Sequence, residues 1–407
     1  MQAEVYSFSN GLRMIHIPSN NPVSYCGFAI NAGARDEAPA EYGLTHLVEH
    51  LLYKGTKKRK ACHILNRMEN VGGELNAYTT KEETFIYTVS LNNDTERAVE
   101  LLADIVSASQ FPENEIRKEK EVVLDEINLY KDSPSELIFD DFENLIFDGH
   151  ALGHHILGEK KTLKTFNREQ CVRFFHHFYQ PDNMIFFCYG ATPLKKLVAM
   201  LSKYLPEPPP LSVARAPRLI PELNCTRQSE INKKLHQTHV MIGAKAYDMR
   251  DDKKTGLYLL NNLLGGPGMN SRLNLTLRER YGLVYTVESG YTAYSDTGVI
   301  SIYFGCDHQS KDRCIDLTYK ELRRLRTEKL STARLSTAKK QLKGQLGISA
   351  EHRENVALSI AKSFLHLNKY NDLPQVYRMI DDLSASLLLE IANEVLEENK
   401  LFRLIFS

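Results

Sequence analysis

The sequence predicts a mixed fold of strands and helices organised as two similar domains, and three observations predict it. The chain has 407 residues, too long for one ordinary core, so two or three domains are expected. The stretch Pro206 to Pro221 carries prolines at 206, 208, 209, 210, 217 and 221 with few large apolar residues, the composition of an extended linker. It separates 1–205 from 222–407, and the second part repeats the element types of the first, which suggests duplication.

In chain order, residues 3–8 and 12–17 predict two strands joined at Asn10-Gly11, a hairpin signal. Val23 to Ile30 predicts a third strand. The segment Gly43 to Thr56 predicts a helix with Leu44, Leu47, Val48, Leu51 and Leu52 on one arc and His46, Glu49, His50 and Tyr53 on the opposite one. Gly55 is a plausible stop. The basic run Lys54 to Lys60 is expected to be a solvated loop. A helix from Ala61 to Asn70 should end at Gly72-Gly73, followed by Glu74 to Thr79 and a strand from Thr84 to Leu91. The Gly-Gly entry and small Ala77 suit an edge strand to which an extended peptide can be added.

Residues 93–110 predict an amphipathic helix. Pro112 to Asp132 predicts another, with acidic residues at its start as a helix N-terminus prefers. Ile116, Val122, Val123, Ile127 and Tyr130 share an arc of about 140°, and Glu119 and Glu126 fall inside it. A further helix should end within Asp140 to Gly149. His150, His154 and His155 are expected at loop or rim positions, and His176-His177 at packing and surface positions. Asn183 to Tyr189 predicts a strand and Leu194 to Leu205 a helix. In the second part a strand (His239 to Ala244), a helix (Lys253 to Leu264), a Gly-rich bend (264–273), strands at 283–294 and 298–306, long helices from 308 and a last strand (Lys400 to Phe406) are expected.

Composition narrows the function. Lys plus Arg equals Asp plus Glu at 51 each, which argues against nucleic acid or an anionic membrane as the main partner. No apolar run approaches the roughly 20 residues that span a bilayer. The start, Met-Gln-Ala-Glu-Val, lacks the basic and apolar regions of a signal peptide. Cys26, Cys62, Cys171, Cys188, Cys225, Cys306 and Cys314 are scattered and form no Cys-x-x-Cys pair. That suits a reduced, cytoplasmic protein and not a cysteine zinc site. The Gly-rich bend lacks a Gly-Lys-Ser/Thr ending and dinucleotide spacing, so nucleotide binding is not expected.

The chemistry concentrates in His46-Leu47-Val48-Glu49-His50. Two His one helical turn apart can grip one metal ion, and Glu49 stands where a general base is needed beside a metal-activated water. His-x-x-Glu-His is the inverted zincin pattern; the alternative is a helix with solvated His and Glu. Glu119 and Glu126 lie on a stripe that should be buried and need a balancing charge. A divalent cation meets that need; the alternative puts both at the rim, in water.

Together these residues resemble the pitrilysin/insulysin family of zinc peptidases, in its processing-peptidase branch. His-Leu-Val-Glu-His followed by Leu-Leu-Tyr-Lys-Gly-Thr matches the family's helix. Its third ligand, a Glu, falls 76 residues after the second His, which here is Glu126. Its supporting acidic residue, seven earlier, is Glu119. Gly72 to Thr79 matches the active-site edge strand, and Leu277 to Tyr285 the segment whose Arg and Tyr reach the substrate. Pro267 lengthens the family's Gly-Gly-Gly-Met type of loop and leaves its shape open. The resemblance implies an α+β fold with two homologous domains, each a mainly antiparallel sheet covered by helices on one side. It implies a zinc endopeptidase cleaving peptides or unfolded polypeptide segments, with Zn²⁺ held by His46, His50 and Glu126, Glu49 as general base and Glu119 orienting the ligands. Asn76 and Ala77 would hold the peptide backbone, and Arg278 and Tyr285 would clamp it. It also implies a dimer, homodimeric or with a related chain lacking the metal motif. The alternative is a catalytically silent scaffold or partner subunit, whose usual mark is a broken metal motif; this one is intact.

Overall fold

The computed structural model describes residues 3–205, 215–221 and 226–407; most of the expected linker and Cys225 lie outside the described residues. Chain contacts divide it into two compact units: Met1–Asn128, His154–Arg218 and Ala350–Asp372 form the first, and Leu129–Gly153, Leu219–Ser349 and Leu373–Ser407 the second.

The first unit contains a six-stranded sheet of β1 (Glu4–Ser7), β2 (Arg13–Pro18), β3 (Val23–Ile30), β4 (Glu74–Thr79), β5 (Thr84–Leu91) and β6 (Met184–Gly190), in the order β1-β2-β6-β3-β5-β4. Neighbours are antiparallel except β2 and β6. The second unit contains β7 (Gln228–Ile231), β8 (Thr238–Ala246), β9 (Val284–Ala293), β10 (Gly298–Cys306) and β11 (Phe402–Phe406), in the order β7-β11-β8-β10-β9, with only β7 and β11 parallel. Aligned on their parallel pairs, β2, β6, β3, β5 and β4 correspond one for one to β7, β11, β8, β10 and β9. The duplication suggested by element order is therefore also a duplication of sheet topology.

The helices follow the same scheme. The first copy has α1 (Leu44–Leu51), α2 (Ala61–Glu69), α3 (Thr95–Ala108), α4 (Glu113–Lys131), α5 (Pro134–Ile146), α6 (Lys160–Thr165), α7 (Arg168–Phe178) and α8 (Leu194–Tyr204). The second has α9 (Lys254–Gly265), α10 (Lys311–Thr327), α11 (Thr332–Ser349), α12 (Arg353–Leu367), α13 (Leu373–Asp381) and α14 (Ala385–Val395). The third helix after each central hairpin changes unit: α5 belongs to the second and α12 to the first. None of the described helices is long and apolar enough to cross a membrane.

This exchange corrects the expectation of helices on one side of each sheet. Met14, Phe28, Ile86 and Phe186 face the helical core with Leu47, Leu51 and Leu102. Their strand neighbours Ile15, Ala29, Phe85 and Phe187 face the other way, against Ala357, Ala361, Phe364 and Leu365 of α12. A strand buried on both faces reads as a continuous apolar run, as β6 does throughout its length. Polar contacts fix α12 in place. The Arg13 guanidinium donates to the carbonyls of Phe364 and Leu365, each at 3.3 Å. Buried Glu83 accepts from Lys362 Nζ at 2.6 Å and from His366 Nε2 at 2.9 Å.

Burial works against ionising Glu83, yet the hydrogen bond from His366 and the charge of Lys362 outweigh it and hold the carboxyl down at about 2. A folded pKa below the unfolded one, about 4.3 for Glu, gives stability that is present above the unfolded value and lost as pH falls through the folded one. The stability difference between the protein and Glu83→Gln is therefore expected to amount to a few kcal/mol near neutral pH and to shrink between about pH 4.3 and pH 2. Urea unfolding across that range measures it, and a pH-independent difference would refute the assignment.

Candidate metal centre

The centre is built on α1, whose start is fixed from a distance. Gly43 opens the helix at φ +97° with no side-chain cap of its own. A left-handed φ favours glycine, and Gly158 (φ +69°) packs so closely that a Cβ there would lie 2.1 Å from the Tyr42 carbonyl. The orphan N–H groups of a helix start need acceptors, and Glu37 supplies them. Its carboxylate accepts from Gly43 N at 2.8 Å, Thr45 N at 2.6 Å and His154 Nε2 at 3.0 Å. Tyr42 stacks on His154 with ring centroids 3.7 Å apart. Burial pushes the Glu37 carboxyl up, and His154 with the two N–H groups pulls it back. His154 keeps its expected place in the loop, between α5 and α6, but is buried there as a structural partner.

His46 and His50 project from α1 with ring centroids 4.6 Å apart. Glu126, on α4, meets them: its Oε2 lies 3.8 Å from His46 Nε2 and 3.6 Å from His50 Nε2. A tetrahedral ion with bonds of about 2.0–2.1 Å needs ligand atoms about 3.3 Å apart, so the three are close to a ligating arrangement. Two further observations fit a metal. Glu126 Oε2 is buried with no hydrogen-bond partner among the described residues, a cost unless something occupies it. Burial, with His50 adding to it, holds the His46 imidazole down at about 3, in the neutral form that binds metals. The residues present therefore fit a divalent ion with nitrogen and oxygen ligands.

Glu49, 8 % exposed, lies on the same helix. Its Oε2 accepts from the Thr79 hydroxyl at 2.6 Å, and Thr79 ends β4, the edge strand that carries Asn76 and Ala77. Burial pushes the Glu49 carboxyl up, and the Thr79 hydrogen bond pulls it back. Glu119 accepts from His50 Nδ1 at 3.1 Å and pairs with Lys54 Nζ at 2.7 Å. Lys54 was expected in a solvated loop, as was Arg59, which pairs with Glu100 and Asp104; both are structural ion-pair partners. Glu37 carried no signal in the sequence; Lys54 and Thr79 lie within matched segments and His154 among the loop histidines, but nothing local to them pointed to these contacts.

Arg278 and Tyr285 belong to the second unit. They stand together, the guanidinium 5.6 Å from the phenol ring centroid, and wall a cavity of about 380 Å³ with Gly266, Pro267 and Met269. Another trio, Glu82, Glu83 and His366, also brings ligand atoms within 4.8 Å of one another. There Arg35 sits 2.7 Å from Glu82 and Lys362 2.6 Å from Glu83, so protein cations already hold the place a metal would take.

Comparison with known proteins gives two family matches: "Insulinase (Peptidase family M16)" over residues 13–160, and "Peptidase M16 inactive domain" over residues 165–342. The latter range contains none of His46, Glu49, His50 and Glu126. An uncharacterized zinc protease of Bacillus subtilis, YmxG, is 30 % identical over 98 % of this chain and 97 % of its own. One from Rickettsia bellii is 30 % identical over 96 % and 94 %. Among solved structures, a protease from Helicobacter pylori superposes with a TM-score of 0.89 at 21 % identity, over 100 % of this chain and 99 % of its own. A peptidase M16 inactive domain from Pseudomonas fluorescens gives 0.90 at 20 % identity, over 100 % and 98 %. At such identities the structures speak for the fold.

Replacing Glu37 by Leu strands two backbone donors and His154, with an expected loss of roughly 3 kcal/mol or more of stability. Glu37→Gln keeps one acceptor oxygen and should lose clearly less. Denaturant unfolding of the two variants compares them, and equal losses would rule out the capping role.

Proposed function

The chain belongs to the insulinase (peptidase M16) family, and on that premise we propose that it is a zinc-dependent endopeptidase acting on peptides or unfolded polypeptide segments. One observation carries the reading: two imidazoles and a carboxylate from separate helices converge beside a second, buried carboxylate. His46, His50 and Glu126 are the residues that would hold the ion. Bound zinc would supply Lewis-acid chemistry, acidifying a water molecule and polarising the scissile carbonyl.

The rest falls to the chain's own side chains. The Thr79 hydroxyl fixes Glu49 through Oε2, which leaves Oε1 to take a proton from the attacking water and pass it to the leaving amine. Because Thr79 is part of β4, the base is registered to the strand proposed to hold substrate. At the sheet edge, the backbone around Asn76 and Ala77 offers N–H and C=O groups to an extended peptide. A folded substrate cannot present a free extended backbone, which is why unfolded segments are the proposed class. Glu119 accepts a hydrogen bond from the Nδ1–H of His50, which leaves Nε2 unprotonated as the ligating nitrogen. Arg278 and Tyr285 are proposed to clamp the peptide. Pairing with a second, related chain is part of the proposal, and a native mass of one chain alone would remove that part.

Glu49→Gln is expected to keep zinc and lower peptide hydrolysis by roughly 10²–10⁴-fold, whereas His50→Ala should lose the metal. Metal analysis and a fluorogenic peptide assay, with and without chelator, read both. Normal turnover by Glu49→Gln would remove Glu49 from the mechanism. Zinc well below one per chain with no hydrolysis would favour the silent scaffold.

A further inference from the structure

The second unit contains a cavity of about 500 Å³ bounded by α10, α11 and the stretch 270–280, whose end, Asn274–Arg280, is π-helical. That volume is ordinary for small-molecule sites, but the charge is not. Arg272, Arg280, Arg324 and Arg334 line it, and Glu321 is the one carboxylate among the described lining residues. The walls alone leave three formal positive charges, and Arg324 is also paired with Glu328 at 3.3 Å, outside the lining, so two remain uncompensated. Glu321 is also engaged elsewhere: it accepts from Arg324 at 3.1 Å and from the Thr276 hydroxyl at 3.3 Å. From Arg272 Nη1 it is 3.9 Å away, beyond hydrogen-bond reach, and that nitrogen is buried with no hydrogen-bond partner among the described residues. Burial holds the Arg272 guanidinium below its ordinary value; Glu321 opposes this, and Arg324 and Arg334 add to it. A buried donor without an acceptor, among like charges, is costly unless an anion meets it.

We propose that this cavity binds the phosphoryl group of a small phosphorylated molecule. A tetrahedral oxyanion with close to two charges and three strong acceptor oxygens matches several guanidinium forks at once. A single carboxylate would leave more of the positive charge unmet. Leu275, Leu330 and Ala338, also in the wall, give an organic substituent an apolar surface. The bound anion would bridge Arg280 on the π-helical stretch to Arg334 on α11. It would thereby steady the stretch that carries Arg278. The binding step rests on no part of the peptidase reading.

Calorimetric titration of the full chain with inorganic phosphate and with phenyl phosphate, at ionic strength held constant with sodium chloride, tests the site. Saturable binding near one per chain is expected. Arg334→Ala should weaken it about tenfold or more, the loss of one charge-assisted hydrogen bond. Arg280→Ala, another exposed position, should do the same, so the result does not hang on the folding of a variant at half-buried Arg272. Arg323→Ala, whose side chain pairs with Glu398 at 3.4 Å, should change nothing. Tighter phenyl phosphate would support an organic phosphate as the ligand, and equal affinities free phosphate. The proposal is overturned if no saturable heat appears, or if binding survives Arg334→Ala and Arg280→Ala. Heat that disappears with chelator would place the anion on the metal and also overturn it.

Discussion

An eight-residue helix is too short to hold its shape in water, yet α1 carries two imidazoles and a carboxylate in one cluster. Everything at the centre depends on how that helix is restrained. Glu37 and His154 hold its first turn. Leu44, Leu47, Val48 and Leu51 are fully buried and tie its back to the core. Thr79 ties Glu49 to the edge strand, and Glu119 ties His50 to α4. Each restraint reaches α1 from a different element. A shift of the helix would therefore break several contacts together, and this is how the ligand atoms can stay clustered without bonding to one another.

The duplicated topology explains what the second copy keeps and what it drops. In element order α9 answers to α1, and β9 to β4. The contact between helix and edge strand persists: Asn261 Nδ2 donates to the Ser289 carbonyl at 3.2 Å, and Ser289 Oγ donates to the Asn261 carbonyl at 3.0 Å. The chemistry does not persist, because Lys254–Gly265 contains no His, Asp or Glu. The second copy instead carries charge in its arginines, several of them around the stretch that follows α9. One framework thus supports an acidic, imidazole-bearing site in one unit and a cationic cavity in the other.

What the sequence made legible was whatever is local and periodic. The spacing of His46, Glu49 and His50 on a helix with an apolar back is a local pattern, and so is the apolar stripe that singled out Glu119 and Glu126. The strand runs 23–30 and 84–91 match β3 and β5 to the residue. The stripe was less accurate in detail, since Val122, assigned to it, is 45 % exposed. What escaped has no period. Glu37 meets His154 across 117 residues of chain, and the exchange of α5 and α12 depends on chain routing rather than on helix pattern. α7 escaped as an element: the sequence placed only His176-His177 within it, at packing and surface positions. β7 is four mostly exposed residues, with no alternation to find. Arg278 and Tyr285 were legible only through family resemblance, as neither belongs to a periodic pattern.

The two acidic-histidine clusters of the first unit show why donor geometry alone does not mark a metal site. Both bring three ligand atoms within 4.8 Å. Around Glu82 and Glu83, the cations Arg35, Arg218 and Lys362 contact those two carboxylates and Asp36, so three formal positive charges meet three negative ones. A divalent ion there would have to displace guanidinium and ammonium groups that are already hydrogen-bonded. Around His46 and His50, the carboxylates of Glu49, Glu119 and Glu126 face, among the described residues, one cation, Lys54, which pairs with Glu119. Glu49 is met by a neutral hydroxyl, and Glu126 Oε2 by nothing that donates. Two formal negative charges remain, and this is the charge of one divalent cation with opposite sign. Partly buried charge is tolerated when it is paired or coordinates a metal, and only the first cluster leaves that pairing to an ion.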